Sequence, residues 1–283
     1  MQGLGATLLN IQSHYNGLTK TEQKVAKYIL DYAQDVIYYS VTELAEKADV
    51  GETTVLRLCR KLKFKGFQDF KLSLAQDLVR PADHLHNEVS EEDDPQALKH
   101  KIISTHMQTL DETRELLHTE QLSRAIDLIA AAESIYFFGV GSSGLTAAQA
   151  AHSFTRIGIR SYARQDTHFQ AIEAALMNER SVAIGLSISG STKDTIDNLQ
   201  IAKATGAKVI AITSNARSPI TKLADYSLLM VAKENPLQGS SMAAKISQLA
   251  VIDILNVALS LHMKDHALKY REKTAKAISN KMF

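Results

Sequence analysis

The sequence predicts two folds in tandem: a small all-helical domain containing a helix-turn-helix, then a three-layer α/β/α sandwich on a five-stranded parallel sheet. Three observations carry this. Early in the chain, capped segments of helical period follow one another with no strand-like run between them. Later, five short apolar runs alternate with helical segments of roughly 8–16 residues, as βαβ units require. Between the two halves, residues 81–95 (PADHLHNEVSEEDDP) hold six acids, no Lys or Arg, and two of the four prolines. These features divide the 283 residues into a helical domain at 1–80, an acidic linker at 81–94, and an α/β domain with flanking helices at 95–283.

Composition sets the outer limits. With 45% apolar and 22% charged residues the chain has the make-up of a soluble globular protein. No apolar stretch reaches the roughly 18–20 uncharged residues that span a bilayer. The start, MQGLGATLLNIQSHYNG, has neither early basic residues nor an export cleavage site, so no membrane partner is expected. A single cysteine, Cys59, excludes an internal disulfide framework and suits a reducing cytoplasm. No metal site and no cofactor is expected. The net charge of +1 hides a local excess of +5 between Arg57 and Lys71, where six basic residues face one acid, Asp69.

In the first domain, Thr19 and Glu22 have capping-box spacing, and Val25, Ile29 and Tyr32, with Tyr28 beside them, form an apolar stripe. Ser40 and Glu43 repeat the device. A helix near 41–47, a tight turn at Asp49-Val50-Gly51 and a second helix near 52–62 then read as a helix-turn-helix. Asp49 stands where such turns favour glycine, and Asp tolerates left-handed geometry. The second helix opens with Glu52, Thr53 and Thr54, short polar groups suited to base edges and phosphates. Arg57, Arg60 and Lys61 follow on its outer side, with Lys63, Lys65 and Lys71 nearby. This density of cations favours double-stranded DNA through counterion release over a merely solvated helical face. Phe64, Phe67 and Phe70 are expected to pack the domain.

In the second domain, Asp94-Pro95 and Thr119 are expected to start helices, the first by an N-cap followed by proline. The strands are expected at SIYFFGVG, IRSYAR, SVAIGLS, AKVIAITS and YSLLMV. Helices come between them: SSGLTAAQAAHSFTRIG, DTHFQAIEAALM opened by Asp166, SGSTKDTIDNLQIAKATG and SPITKLAD. A long apolar helix, SSMAAKISQLAVIDILNVALSLHM, follows, suited to pack on the sandwich or on another subunit, and the basic tail KDHALKYREKTAKAISNKMF reads as a solvated helix. Ligands of such sheets collect at the carboxyl ends of the strands. Two of those ends are unusual: GVGSSG, with Ser142 and Ser143, and SISGST, with Ser187, Ser189, Ser191 and Thr192. Glycines, helix N-termini and hydroxyls together make a pocket of uncharged donors for a phosphate monoester. The rival is a dinucleotide site, since Gly139, Gly141 and Gly144 spell G-x-G-x-x-G. IRSYAR, however, ends without the acid expected for a ribose, and that scheme has no use for the second hydroxyl turn.

Both halves resemble RpiR-type transcriptional regulators, an N-terminal helix-turn-helix joined to a sugar isomerase (SIS) domain. The resemblance rests on TKTEQKVAKYIL, VTELAEKADVGETTVLRLCRKLKFKGFQDFK, GVGSSG, SISGSTKDT and AKVIAITS and covers nearly the whole chain. It implies a homodimer or homotetramer whose affinity for operator DNA is set by a phosphorylated sugar. It also implies phosphate ligands among Ser142, Ser143, Ser187, Ser189, Ser191 and Thr192, and sugar contacts from His168, Ser240, Ser241 and Lys245. Where isomerases similar to this domain carry a catalytic Glu, the sequence holds Lys245, so a sensor without enzymatic activity is expected; Glu234 nearby leaves an isomerase or lyase as the alternative. QDTHFQ and GSSMAAK are similar to the wording of regulators responsive to N-acetylmuramic acid 6-phosphate, with glucosamine-type 6-phosphates and pentose phosphates as other effectors.

Overall fold

The computed structural model describes residues 5–78, 89–90, 92–232 and 242–279, which divide into two compact units, one up to Met107 and one from Gln108 onward. The first unit opens with α1 (Ala6–His14), α2 (Lys20–Asp31), α3 (Ala33–Val36), α4 (Val41–Lys47), α5 (Glu52–Lys61) and α6 (Phe67–Leu78). Complete capping boxes start α2 and α4: the Thr19 and Ser40 hydroxyls accept from the N–H groups of Glu22 and Glu43, whose carboxylates accept in return. Two backbone donors are thereby satisfied at each helix start.

The turn between α4 and α5 closes as its sequence requires. Asp49 takes φ 54°, and the Val50 N–H donates to the Ala45 carbonyl. Lys63 does the same after α5 at φ 69°, with the Phe64 N–H donating to the Cys59 carbonyl. Val25, Ile29, Leu44, Ala45, Val55, Leu58, Phe67 and Phe70 form the core, with Phe64 packed against it. Tyr32 departs from the expected stripe. It ends α2 as its C-cap, half exposed, with its ring against Tyr28.

Next comes α7 (Pro95–Leu116), where the Asp94 carboxylate accepts from the Ala97 N–H. The second unit then alternates: α8 (Thr119–Ala131), β1 (Ser134–Phe138), α9 (Gly141–Arg156), β2 (Ser161–Ala163), α10 (Thr167–Ala175), β3 (Ser181–Leu186), α11 (Lys193–Ala204), β4 (Lys208–Thr213), α12 (Pro219–Leu223) and β5 (Tyr226–Leu229). Two helices follow, α13 (Met242–Met263) and α14 (Asp265–Ser279). The five strands are parallel, in the order β2-β1-β3-β4-β5.

Strand alternation sorts the core into two layers. Ile135, Phe137, Ile184 and Ile212 pack with α8, α9 and α13, while Phe138, Ala183, Val209 and Ala211 pack with α10, α11 and α12. By length and composition α13 could cross a membrane, but its Ala244, Val251, Ile252, Leu255 and Leu259 are buried in the unit's core.

Two helix starts differ from expectation. Thr119 does not cap α8: the extended backbone of His118 puts that residue at the cap, and Thr119 lies inside the first turn. The helix expected from Ser189 begins at Lys193, because the chain from Ser187 to Thr192 is a turn held by its own side chains.

Candidate functional site

β1 and β3 are neighbours, yet the helices that follow them, α9 and α11, pack on opposite faces of the sheet. A crevice therefore opens at their carboxyl ends, the switch point at which open α/β sheets hold ligands. Both hydroxyl-rich turns lie there.

The first turn is built by close backbone approach. A Cβ on Gly139 would lie 3.0 Å from the Ser143 carbonyl oxygen, and one on Gly144 would lie 3.0 Å from the Gly139 oxygen. The strand end thus packs directly on the first turn of α9, which accounts for the G-x-G-x-x-G lettering without a dinucleotide. Ser143 is 8% exposed, and its Oγ accepts from Gln248 Nε2 at 3.1 Å. Lys245 Nζ donates to the Ser142 carbonyl at 3.2 Å. Lys245, expected as a sugar contact, thus stands beside a turn otherwise made of uncharged donors.

The second turn is built by hydroxyls. Ser187 and Thr192 join through their side-chain oxygens at 2.9 Å. Ser191 spends its polar groups locally, its N–H donating to Ser189 Oγ and its hydroxyl to the Ser189 carbonyl, both at 3.3 Å. Gly190 takes φ 66°, and a methyl there would overlap Ser218 Oγ and Cβ. The loop after β4 braces this turn from behind. Thr213 and Ser214 donate to the Ile188 carbonyl, Asn215 Nδ2 to the Ser189 carbonyl, and the Ile220 N–H to the Gly190 carbonyl.

Sequence reasoning missed this bracing, though TSNARSP follows an apolar run just as the other two turns do. It also missed Gln248 and the buried pair Gln170–Asn198. Gln170 Nε2 donates to the Gly139 and Arg164 carbonyls, and its Oε1 accepts from Asn198, so the end of β1 is fixed from the side. No pattern of period or spacing separates such amides from ordinary helix residues.

Of the remaining expected contacts, His168 is exposed in the first turn of α10, whose cap Asp166 accepts from the Phe169 N–H. Ser240, Ser241 and Glu234 lie outside the described residues. The crevice offers unpaired N–H groups at the starts of two long helices, hydroxyls and a lysine. That set has the chemistry to suit a compact dianion such as a phosphate monoester.

In the helical unit, α5 turns Thr53, Arg57 and Arg60 outward, with Lys63 and Lys65 exposed just beyond it and Thr54 half-buried. Three expected members of this surface do something else. Glu52 accepts from the Thr42 hydroxyl at 2.8 Å, tying the start of α5 to α4. Lys61 turns back, donating to the Gly17 carbonyl at 2.7 Å and pairing with Glu22 at 3.1 Å. Burial would raise the Glu22 carboxyl, but the Thr19 N–H and Lys61 outweigh it and hold it below its usual range. Lys71 is buried, donates to the Tyr39 carbonyl at 2.8 Å, and burial pushes its ammonium down to about 8. The outward cations left are Arg57, Arg60, Lys63 and Lys65.

Comparison with known proteins agrees with both domains. Residues 5–81 match the helix-turn-helix domain of the rpiR family, and residues 128–258 match the SIS domain. An HTH-type transcriptional regulator of Caldanaerobacter subterraneus is 36% identical over 95% of each chain. The regulator HexR of Escherichia coli is 34% identical over 90% of this chain and 88% of its own. Among solved structures, the Vibrio vulnificus NanR protein complexed with ManNAc-6P superposes with a TM-score of 0.87 at 29% identity, covering 98% of this chain and 99% of that one. The chain belongs to the RpiR family of HTH-type transcriptional regulators, a DNA-binding helix-turn-helix domain coupled to an SIS domain.

Proposed function

We propose that the protein represses a carbohydrate-utilisation operon as a cytoplasmic homodimer or homotetramer, and that an N-acetylated amino-sugar 6-phosphate bound at the β1–β3 crevice loosens its hold on operator DNA. N-acetylmuramic acid 6-phosphate is the first candidate; the ligand of the Vibrio NanR, ManNAc-6P, has the same N-acetyl and phosphate groups. The observation that carries this reading is the pair of hydroxyl turns at adjacent strand ends, with Lys245 anchored at the first. Ser143, Ser187, Ser189 and Thr192 hold the phosphate, with Ser142 and Ser191 shaping the turns. Lys245 and His168 serve the sugar part, and the resemblance assigns Ser240 and Ser241 to the same role.

Proton abstraction from a sugar carbon needs a positioned base. Where isomerases similar to this domain carry a catalytic Glu, this chain holds Lys245, a cation. This favours sensing over turnover. Coupling is then reciprocal: whatever factor the sugar removes from DNA affinity, DNA removes from sugar affinity, typically about 1–3 kcal/mol. Two copies of α5 held at a fixed spacing read two half-sites, and the effector shifts that spacing.

The test is a thermal-shift panel of 6-phosphosugars and their unphosphorylated parents, with product analysis of each mixture. Stabilisation by one N-acetylated 6-phosphate and not by its parent supports the reading. Isomer or ether-cleavage products well above background would replace it with an enzyme.

A further inference from the structure

Gln248 lies on α13, is 0% exposed, and its side chain makes one hydrogen bond among the described residues, from Nε2 to Ser143 Oγ at 3.1 Å. Its Oε1 is buried and has no partner among the described residues. Buried amides are ordinarily satisfied at both ends, so one held by a single bond to a site hydroxyl asks for an explanation.

The direction of that bond supplies one. A serine hydroxyl has one hydrogen and two lone pairs. A free hydroxyl rotates, and in an apolar helix turn its hydrogen goes to the nearest backbone carbonyl, as Thr146 does to the Ser142 carbonyl. An anion needs the opposite, a hydroxyl that donates outward. Gln248 donates to Ser143, occupies one of its lone pairs and leaves the hydrogen for a ligand. Among the described residues, Ser143 makes no other hydrogen bond through its side chain.

We propose that Gln248 is the positioning residue of the phosphate cradle, setting Ser143 as a pure donor toward the anion. This rests on the phosphosugar reading of the crevice. It predicts that a carboxylate of the same shape inverts the effect. In Gln248→Glu the ionised carboxylate accepts the Ser143 hydrogen, withdraws it from the ligand and adds a charge of the wrong sign. Gln248→Met removes the donor with little change of volume.

The experiment is a double-mutant cycle read by isothermal calorimetry with ManNAc-6P and N-acetylmuramic acid 6-phosphate as probes, on the full chain. The variants are Gln248→Met, Ser143→Ala and the two combined, with Gln248→Glu measured from pH 6 to pH 8. Each single variant is expected to weaken binding about ten- to hundredfold, the range for one hydrogen bond to a charged group. The double variant is expected to be no weaker than Ser143→Ala alone. Gln248→Glu is expected to bind worse than Gln248→Met at pH 8 and to recover relative to it as pH falls and the acid regains a hydrogen to donate. Equal losses from Gln248→Met with and without the Ser143 hydroxyl would mean that the glutamine only packs α13, and would overturn the assignment while leaving the crevice intact. If the unaltered protein binds neither probe, the phosphosugar reading falls with it.

Discussion

On the proposed function, the two units hold phosphate in opposite ways. The helical unit presents Arg57, Arg60, Lys63 and Lys65 to solvent, while the α/β unit lines its crevice with serine hydroxyls, backbone N–H groups and one lysine. A surface of mobile cations suits a polyanion of repeating charge, and its attraction is screened by salt. A rigid set of short donors suits one phosphate of fixed shape, and its contacts, shielded from solvent, are screened much less. The comparison teaches that charge count alone does not locate a phosphate site. On that reading the strongest basic run serves DNA, and the small ligand goes where cations are few.

The sharpest way to test the helical side of this contrast is the cation it hides. The Lys71 ammonium is held near 8 by burial, against an ordinary value of about 10.4. Below pH 8 it is charged in both folded and unfolded chains, and the cost of burying it is paid in full. Between about pH 8 and 10.4 the unfolded chain binds more protons, so folding stability rises with pH by up to about 3 kcal/mol. Denaturation of the protein and of Lys71→Met across this window should show that gain in the parent only. Parallel curves would place Lys71 with the outward cations.

On the crevice side, Gly190→Ala forces a side chain into left-handed backbone and into Ser218, at a cost of about 2–3 kcal/mol. Calorimetry should show phosphosugar affinity reduced by at least about tenfold, since the turn that carries Ser187 and Ser189 must shift. Smaller is the effect of Arg57→Ala. Operator binding should weaken by about 1–2 kcal/mol, and the slope of log affinity against log salt should flatten by about 0.9, one phosphate contact. Phosphosugar affinity should keep its weak salt dependence in the same variant. Smallest is Lys63→Gly, which relieves the φ 69° backbone and should stabilise the helical unit by about 0.5–1 kcal/mol while removing one DNA-facing charge.

Much of this was legible in the sequence because it is local. Thr19 with Glu22, Ser40 with Glu43, and Asp49 at a left-handed turn are decided within a few residues, and the structure keeps all three. The five strands followed from runs of apolar residues. What was not legible depends on partners distant in the chain. Lys61 and Lys71 looked like surface charge beside Lys63 and Lys65, and only folding brings Glu22 and the Tyr39 carbonyl to them. Glu52 similarly finds Thr42 across the turn. In the crevice, hydroxyls and glycines announced two turns, but the strand order that makes β1 and β3 neighbours, and the amides of Gln248, Gln170 and Asn215 that hold those turns, are tertiary facts.

The central claim is that occupancy of the β1–β3 crevice governs a DNA-reading helix in the other unit. Its most direct measurement is fluorescence anisotropy of a labelled operator fragment, selected by the protein from genomic DNA and titrated with N-acetylmuramic acid 6-phosphate and ManNAc-6P, for the parent and for Ser189→Ala. The account predicts release of DNA from the parent by one of these phosphates, and for Ser189→Ala the same DNA affinity without ligand but a much higher phosphosugar concentration for release. An operator complex indifferent to both phosphosugars, or released equally well from both proteins, would contradict it.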